Sequence, residues 1–111
     1  MQHECWRIDF HHRRVEERIL ALPDGLLARF VRYTERIQRF GPDLGMPHSR
    51  AMGRGLFELR LHGAEGAARV FYCVLSGRRV RILHSFMKKS QQTPLAEFAL
   101  ARRRHREAVD E

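Results

Sequence analysis

Lysine is nearly missing from this sequence: of 21 Lys and Arg residues only Lys88 and Lys89 are lysines, and they are neighbours. Where arginine is otherwise the rule, that pair marks a place suited to a compact cation of tunable pKa. Cysteine is scarce as well. Cys5 and Cys73 allow at most one disulfide and stand in no CxxC or other metal-ligand spacing, so two reduced thiols in a cytoplasmic protein are expected. No run of about 18 apolar residues is present to span a bilayer. The opening MQHECWRIDFHH has no apolar export core, which points to a soluble, unexported chain with no membrane partner. Seven histidines form no HxH, HExxH or His/Cys cluster, which argues against a metal site. A GxSxG nucleophile motif is also lacking, and Cys73 sits in an apolar run as a core residue does.

What is present suits a single domain over residues 1–111, with 43% apolar residues to build one core. The formal charge is +8, and it is concentrated. Residues 50–89 hold nine basic side chains (Arg50, Arg54, Arg60, Arg69, Arg78, Arg79, Arg81, Lys88, Lys89) against Glu58 and Glu65, a local excess of +7. A field focused on one segment attracts a polyanion, and nucleic acid is the first candidate.

The hydrophobic pattern orders the chain as strand, two helices, three strands, helix. Trp6, Ile8 and Phe10 alternate with Arg7 and Asp9 as a first strand. Val15, Ile19 and Leu22 recur at helical spacing up to Pro23. Asp24 is placed to cap a second helix with the stripe Leu27, Phe30, Val31, Thr34 and Ile37, ended by Gly41-Pro42. Residues 41–55, broken by Gly and Pro, predict an ordered connection without regular structure. Residues 56–62 put Phe57, Leu59 and Leu61 on a packed face and Glu58, Arg60 and His62 on a wet one. Residues 67–75 and 78–87 form a hairpin about Ser76-Gly77, completing an antiparallel meander. Thr93-Pro94 opens a last helix with Leu95, Phe98, Ala99 and Ala101 inward and Arg102 to Arg106 exposed. The fold class is α+β, with the helical pair on one sheet face and Arg60, Arg69 or Arg81 projecting from the other.

Such a basic face can hold a sugar-phosphate chain through bidentate arginine contacts, with Tyr72 or Phe86 stacking on an unpaired base, which favours single-stranded RNA over duplex DNA. Cleaving RNA there requires no cofactor. The ribose 2′-hydroxyl attacks its own phosphate when one group takes its proton, another protonates the leaving oxygen and cations stabilise the phosphorane. Arg60, Arg69, Lys88 and Lys89 supply the cations; a lysine, tyrosine or histidine supplies the proton transfer.

Four motifs then carry a resemblance: Gly53-Arg54-Gly55-Leu56-Phe57-Glu58-Leu59-Arg60, Arg69-Val70-Phe71-Tyr72, Leu83-His84-Ser85-Phe86-Met87-Lys88-Lys89 and Thr93-Pro94-Leu95-Ala96-Glu97. Together, and in element order over about residues 20–104, the chain resembles the phage-derived, HigB-like branch of the RelE/ParE toxin superfamily. The resemblance implies a RelE-like α+β fold and a toxin of a type II toxin–antitoxin pair that cleaves messenger RNA on the ribosome, silenced by a helix-turn-helix antitoxin. It assigns Arg69 to the scissile phosphate, Lys88 and Lys89 to further charge, and Arg60 to a strand that carries basic catalytic residues. The RNA-contacting set becomes Arg54, Arg60, Arg69, Arg81, Phe86, Lys88 and Lys89, and the catalytic set Arg60, Arg69, Tyr72 and Lys88. Two departures stand out: Glu58 replaces a lysine of the best-known RelE enzymes, and Leu95 stands near the place of a helical tyrosine. The acid and base are left among Tyr72, His62 and His84. A ParE-like DNA gyrase inhibitor and a noncatalytic RNA-binding module are the alternatives.

Overall fold

The computed structural model describes residues 5–111. Its elements are β1 (Arg7–Phe10), α1 (Arg13–Leu20), α2 (Asp24–Phe40), β2 (Ser49–Gly53), β3 (Leu56–Gly63), β4 (Gly66–Leu75), β5 (Arg79–Lys88) and α3 (Leu95–Val109). They form one five-stranded sheet in the order β1-β5-β4-β3-β2. The meander of β3, β4 and β5 is antiparallel as the hairpin signal predicts. The sheet as a whole is mixed, because β1 joins β5 in parallel, with Arg7 opposite Arg79 and Asp9 opposite Arg81.

Three further expectations are corrected. The Gly- and Pro-broken stretch contains β2, an edge strand whose exposed Arg50, Ala51 and Gly53 give no alternation to read. On α2 the buried residues are Leu26, Phe30, Tyr33 and Ile37, whereas Val31 is 47% exposed. The helix is rotated because Tyr33 buries its ring and keeps its hydroxyl within 3.0 Å of His48 Nδ1. Asp24 makes no capping bond and begins the helix itself, after Pro23.

Both sheet faces are covered. α1 and α2 pack Val15, Ile19, Leu26, Phe30 and Ile37 on Leu59, Leu61, Val70, Tyr72, Val80 and Ile82. On the other face α3 lays Phe98, Ala101 and Ala108 over Leu56, Phe71, Cys73, Leu83 and Phe86. The face expected to be wet is therefore half roofed. Leu95 is 83% exposed, so the last helix presents a thinner apolar stripe than its sequence suggests. Polar anchors make up the difference. His84 Nε2 lies 2.7 Å from Glu97 Oε1, Arg104 Nη1 donates to Leu83 O at 2.8 Å, and Arg81 Nη1 donates to Glu111 at 2.6 Å. Arg104, placed by its neighbours in an exposed run, is half-buried by its bond.

A bulge in β5 changes which residues meet α3. Tyr72 pairs with Ile82 and Phe71 with His84, so Leu83 is the extra residue and the alternation slips by one. Val80 and Ile82 face α1 and α2; beyond the bulge His84, Phe86 and Lys88 share the α3 side.

Candidate functional site

The antiparallel register builds the site. Arg60 lies directly opposite Arg69, and Arg69 opposite Phe86; Ala67 pairs with both His62 and Lys88 at the ends of their strands. By the two-residue period Glu58, Arg60 and His62 of β3, Arg69 of β4 and Lys88 of β5 share one face. α3 starts only at Leu95, so its roof stops short of this end of the meander. The result is a surface cavity of about 580 Å³ lined by Arg60, His62, Ala67, Arg69, Lys88, Lys89, Ser90 and Gln91.

Two guanidinium groups directly across a strand pair repel. Glu58 offsets that repulsion. It is 1% exposed, with Oε1 3.6 Å from Arg60 Nε and 3.9 Å from Arg69 Nε, while Oε2 accepts a 2.8 Å bond from the Thr93 hydroxyl. The carboxylate thus ties the two arginines to the segment that enters α3. Arg69 is itself buried and donates to Ala68 O at 3.2 Å. Among the described residues, the buried Nε–H groups of Arg60 and Arg69 are within ion-pair distance of Glu58 but make no hydrogen bond, so the carboxylate fixes the Nε side of both guanidinium groups. The Lys88 ammonium folds onto the carbonyls of Ser90 and Gln91. Desolvation, then the charge of Arg69, moves Lys88 below its ordinary pKa, which makes it a better proton donor. His62 is exposed and is also moved below its ordinary value, first by desolvation and then by Arg69, Arg60, Arg29 and Lys88. A neutral imidazole at neutral pH follows, able to accept a proton.

Of the residues singled out by sequence, Arg60, Arg69, Lys88 and Lys89 meet at this cavity. Tyr72 does not. It lies three residues from Arg69, hence on the opposite face, is fully buried against Phe57, and donates to Pro42 O at 2.6 Å. Burial pushes its hydroxyl up to about 12, so the expected role in proton transfer or base stacking is corrected to core packing. Phe86 points to the correct side but is 6% exposed, stacked with Phe71 and His84, and gives no free ring to a base. Arg81 is on the α3 side at the far end of β5, held by both oxygens of Asp9 at 2.8 and 3.1 Å and by Glu111. Its charge is spent on structure. Arg54 sits at the β2–β3 turn, beside a different groove along α3. His84 is buried behind Glu97, away from the cavity; His62, two residues from Arg60, is the histidine the cavity contains. The same period-two count that groups Glu58 with Arg60 identifies it. Among the described residues no group of three or more His, Cys, Asp or Glu side chains is placed to hold a metal ion, and no helix is long and apolar enough to cross a membrane.

Comparison with solved structures places the fold. The E. coli toxin RelE, a double arginine-to-alanine mutant in the free state, superposes with a TM-score of 0.66 at 11% identity, covering 90% of this chain and 97% of that one. RelE in the archaeal RelE–RelB complex from Pyrococcus horikoshii OT3 gives 0.56 at 20% identity, covering 75% and 94%. No curated protein matches the sequence. The family model for phage-derived Gp49-like proteins (DUF891) matches residues 17–106 and so takes in α2, every strand of the meander and most of α3. The chain belongs to this phage-derived Gp49-like family, a RelE-like toxin family, and has the RelE fold.

Proposed function

We propose that the chain is the toxin of a type II toxin–antitoxin pair and an endoribonuclease that cuts ribosome-bound messenger RNA by transesterification. The observation that carries this reading is the meeting of Arg60, Arg69, Lys88, Lys89 and His62 on one cavity, with Glu58 buried beneath the two arginines and holding them in place. In the reaction, neutral His62 takes the proton of a ribose 2′-hydroxyl, whose oxygen forms a bond to the adjacent phosphorus. Arg60 and Arg69 stabilise the charge that accumulates on the non-bridging oxygens. The bond from phosphorus to the 5′-oxygen breaks, and the Lys88 ammonium supplies that oxygen with a proton. The products are a 2′,3′-cyclic phosphate and a 5′-hydroxyl. Lys89 adds charge at the rim. No cofactor enters these steps.

The archaeal relative was solved as a complex with RelB, which supports an antitoxin as partner here. A helix-turn-helix antitoxin, and a place among the HigB-like toxins in the cytoplasm, complete the reading. Mapping transcript 5′ ends in cells that express the chain tests it. Wild type should produce new ends within coding regions and arrest growth; Arg69→Ala should produce neither. DNA breaks with unchanged transcript ends would instead assign the fold to gyrase inhibition.

A further inference from the structure

The α3 face of the sheet carries a second concavity of about 710 Å³, separate from the cavity described above. Its floor is apolar, from Met52, Leu56 and Phe98, and its rim carries Arg54, Arg102 and Arg106; Asp110 is the one carboxylate lining it. Phe98, Arg102 and Arg106 are spaced four apart, so they form one stripe of α3 turned toward β2 and β3. Arg54 faces them from a two-residue turn in which it holds a φ of +57° and Gly55 one of +81°. Arg102 is held to the wall, its guanidinium 5.7 Å above the Phe98 ring.

Three arginines against one carboxylate make this a site for a polyanion. Its position says which. Leu56 in the groove and Arg60 in the cavity are on the same face of β3, about 13 Å apart at four strand residues. Between them Glu58 is buried, bonded by Thr93 and paired with the arginines, so its carboxylate is not presented to a ligand. A chain of phosphates that passes around the Thr93 segment is long enough to engage both concavities, whereas an acidic peptide held in the groove makes no use of the nearby cavity.

We propose that the groove beside α3 is a second subsite for single-stranded RNA, in which Arg54, Arg102 and Arg106 hold phosphates a few nucleotides from the linkage at Arg60 and Arg69. This rests on the ribonuclease reading of the cavity. Phe98 is stacked on Phe71 on one side, at 5.9 Å, and roofed by Arg102. It has no open face for a base, and the subsite therefore reads backbone and not sequence.

Binding of a 2′-deoxy-blocked dinucleotide and decanucleotide to the full chain, followed by fluorescence anisotropy against salt, tests this. The Arg102→Ala/Arg106→Ala variant should bind the decanucleotide about tenfold more weakly, with a log–log salt slope shallower by about 1.4 for two lost phosphates. Its affinity for the dinucleotide should not change, which also shows that the variant is folded. Asp110→Asn should tighten the decanucleotide alone, whatever its base sequence. Equal decanucleotide affinity in all three proteins overturns the subsite while leaving the ribonuclease reading intact. A glutamate-rich peptide that responds to the double variant while RNA does not overturns it in favour of a protein partner. Wild type that binds and cleaves no RNA removes both readings.

Discussion

Glu58 shows what a single residue does to this site. A carboxylate at a strand position flanked by two arginines both neutralises part of the positive field and holds it in place. Removing it leaves buried guanidinium charge without compensation. Glu58→Ala should therefore cost about 3 kcal/mol of stability, measurable by denaturant titration, with Glu58→Gln closer to wild type because it still accepts from Thr93. His62 is the complementary case, exposed and unneeded by the core. His62→Ala should leave the denaturation midpoint almost unchanged and lower the cleavage rate by about 10²–10⁴. Because its pKa lies below the ordinary histidine value, and the neutral form is the base, the acid limb of the pH–rate profile should fall below pH 6.5. A limb above that value would remove His62 from the role. How legible such residues are depends on parity. Arg60 and Arg69 are identified by charge and strand period; Lys88 is identified by charge and by the resemblance, and the bulge at Leu83 brings it to their face. Tyr72 attracts notice by chemistry alone, although its odd spacing from Arg69 already turns it to the other face.

At the scale of elements, the meander can be read from sequence because β3 alternates cleanly, β4 is a β-rich apolar run and Ser76-Gly77 marks the turn into β5. The parallel docking of β1 cannot. It is chosen by contacts more than 60 residues away in sequence, of which the Asp9–Arg81 pair is one, and no local pattern encodes it. β2 is too short and too exposed to alternate. The bulge at Leu83 is invisible to a period-two count, yet it decides that His84 faces α3. That histidine is buried and hydrogen-bonded to Glu97, and desolvation holds it below its ordinary pKa against the partly compensating carboxylate. The unfolded chain therefore takes up this proton first as pH falls. Stability should be level above pH 6.5 with respect to this group and decline below it, and His84→Gln should flatten the decline in thermal melts across that range. α3 is also held by few apolar side chains. Phe98→Ala should cost about 2 kcal/mol, less than truncation of a fully buried aromatic because this ring is half-buried.

For the whole molecule, placing helices on both sheet faces leaves one end of the meander uncovered, and the sequence collects its positive charge there. The composition indicates a polyanion ligand from the start; it does not indicate which arginines are free to bind one. Arg81, in the same basic segment, is consumed by Asp9 and Glu111, while Arg102 and Arg106, from a charge-balanced tail, line a groove. Only the folded arrangement separates structural cations from available ones.

The account depends on RNA scission at the cavity formed by Arg60, Arg69, Lys88 and His62. The most direct measurement adds the purified chain to ribosomes stalled on a defined message and determines the chemistry of the new ends. A 2′,3′-cyclic phosphate and a 5′-hydroxyl, absent with Arg69→Ala, are the predicted result. An intact message at saturating protein, or cleavage undiminished by Arg69→Ala, contradicts it.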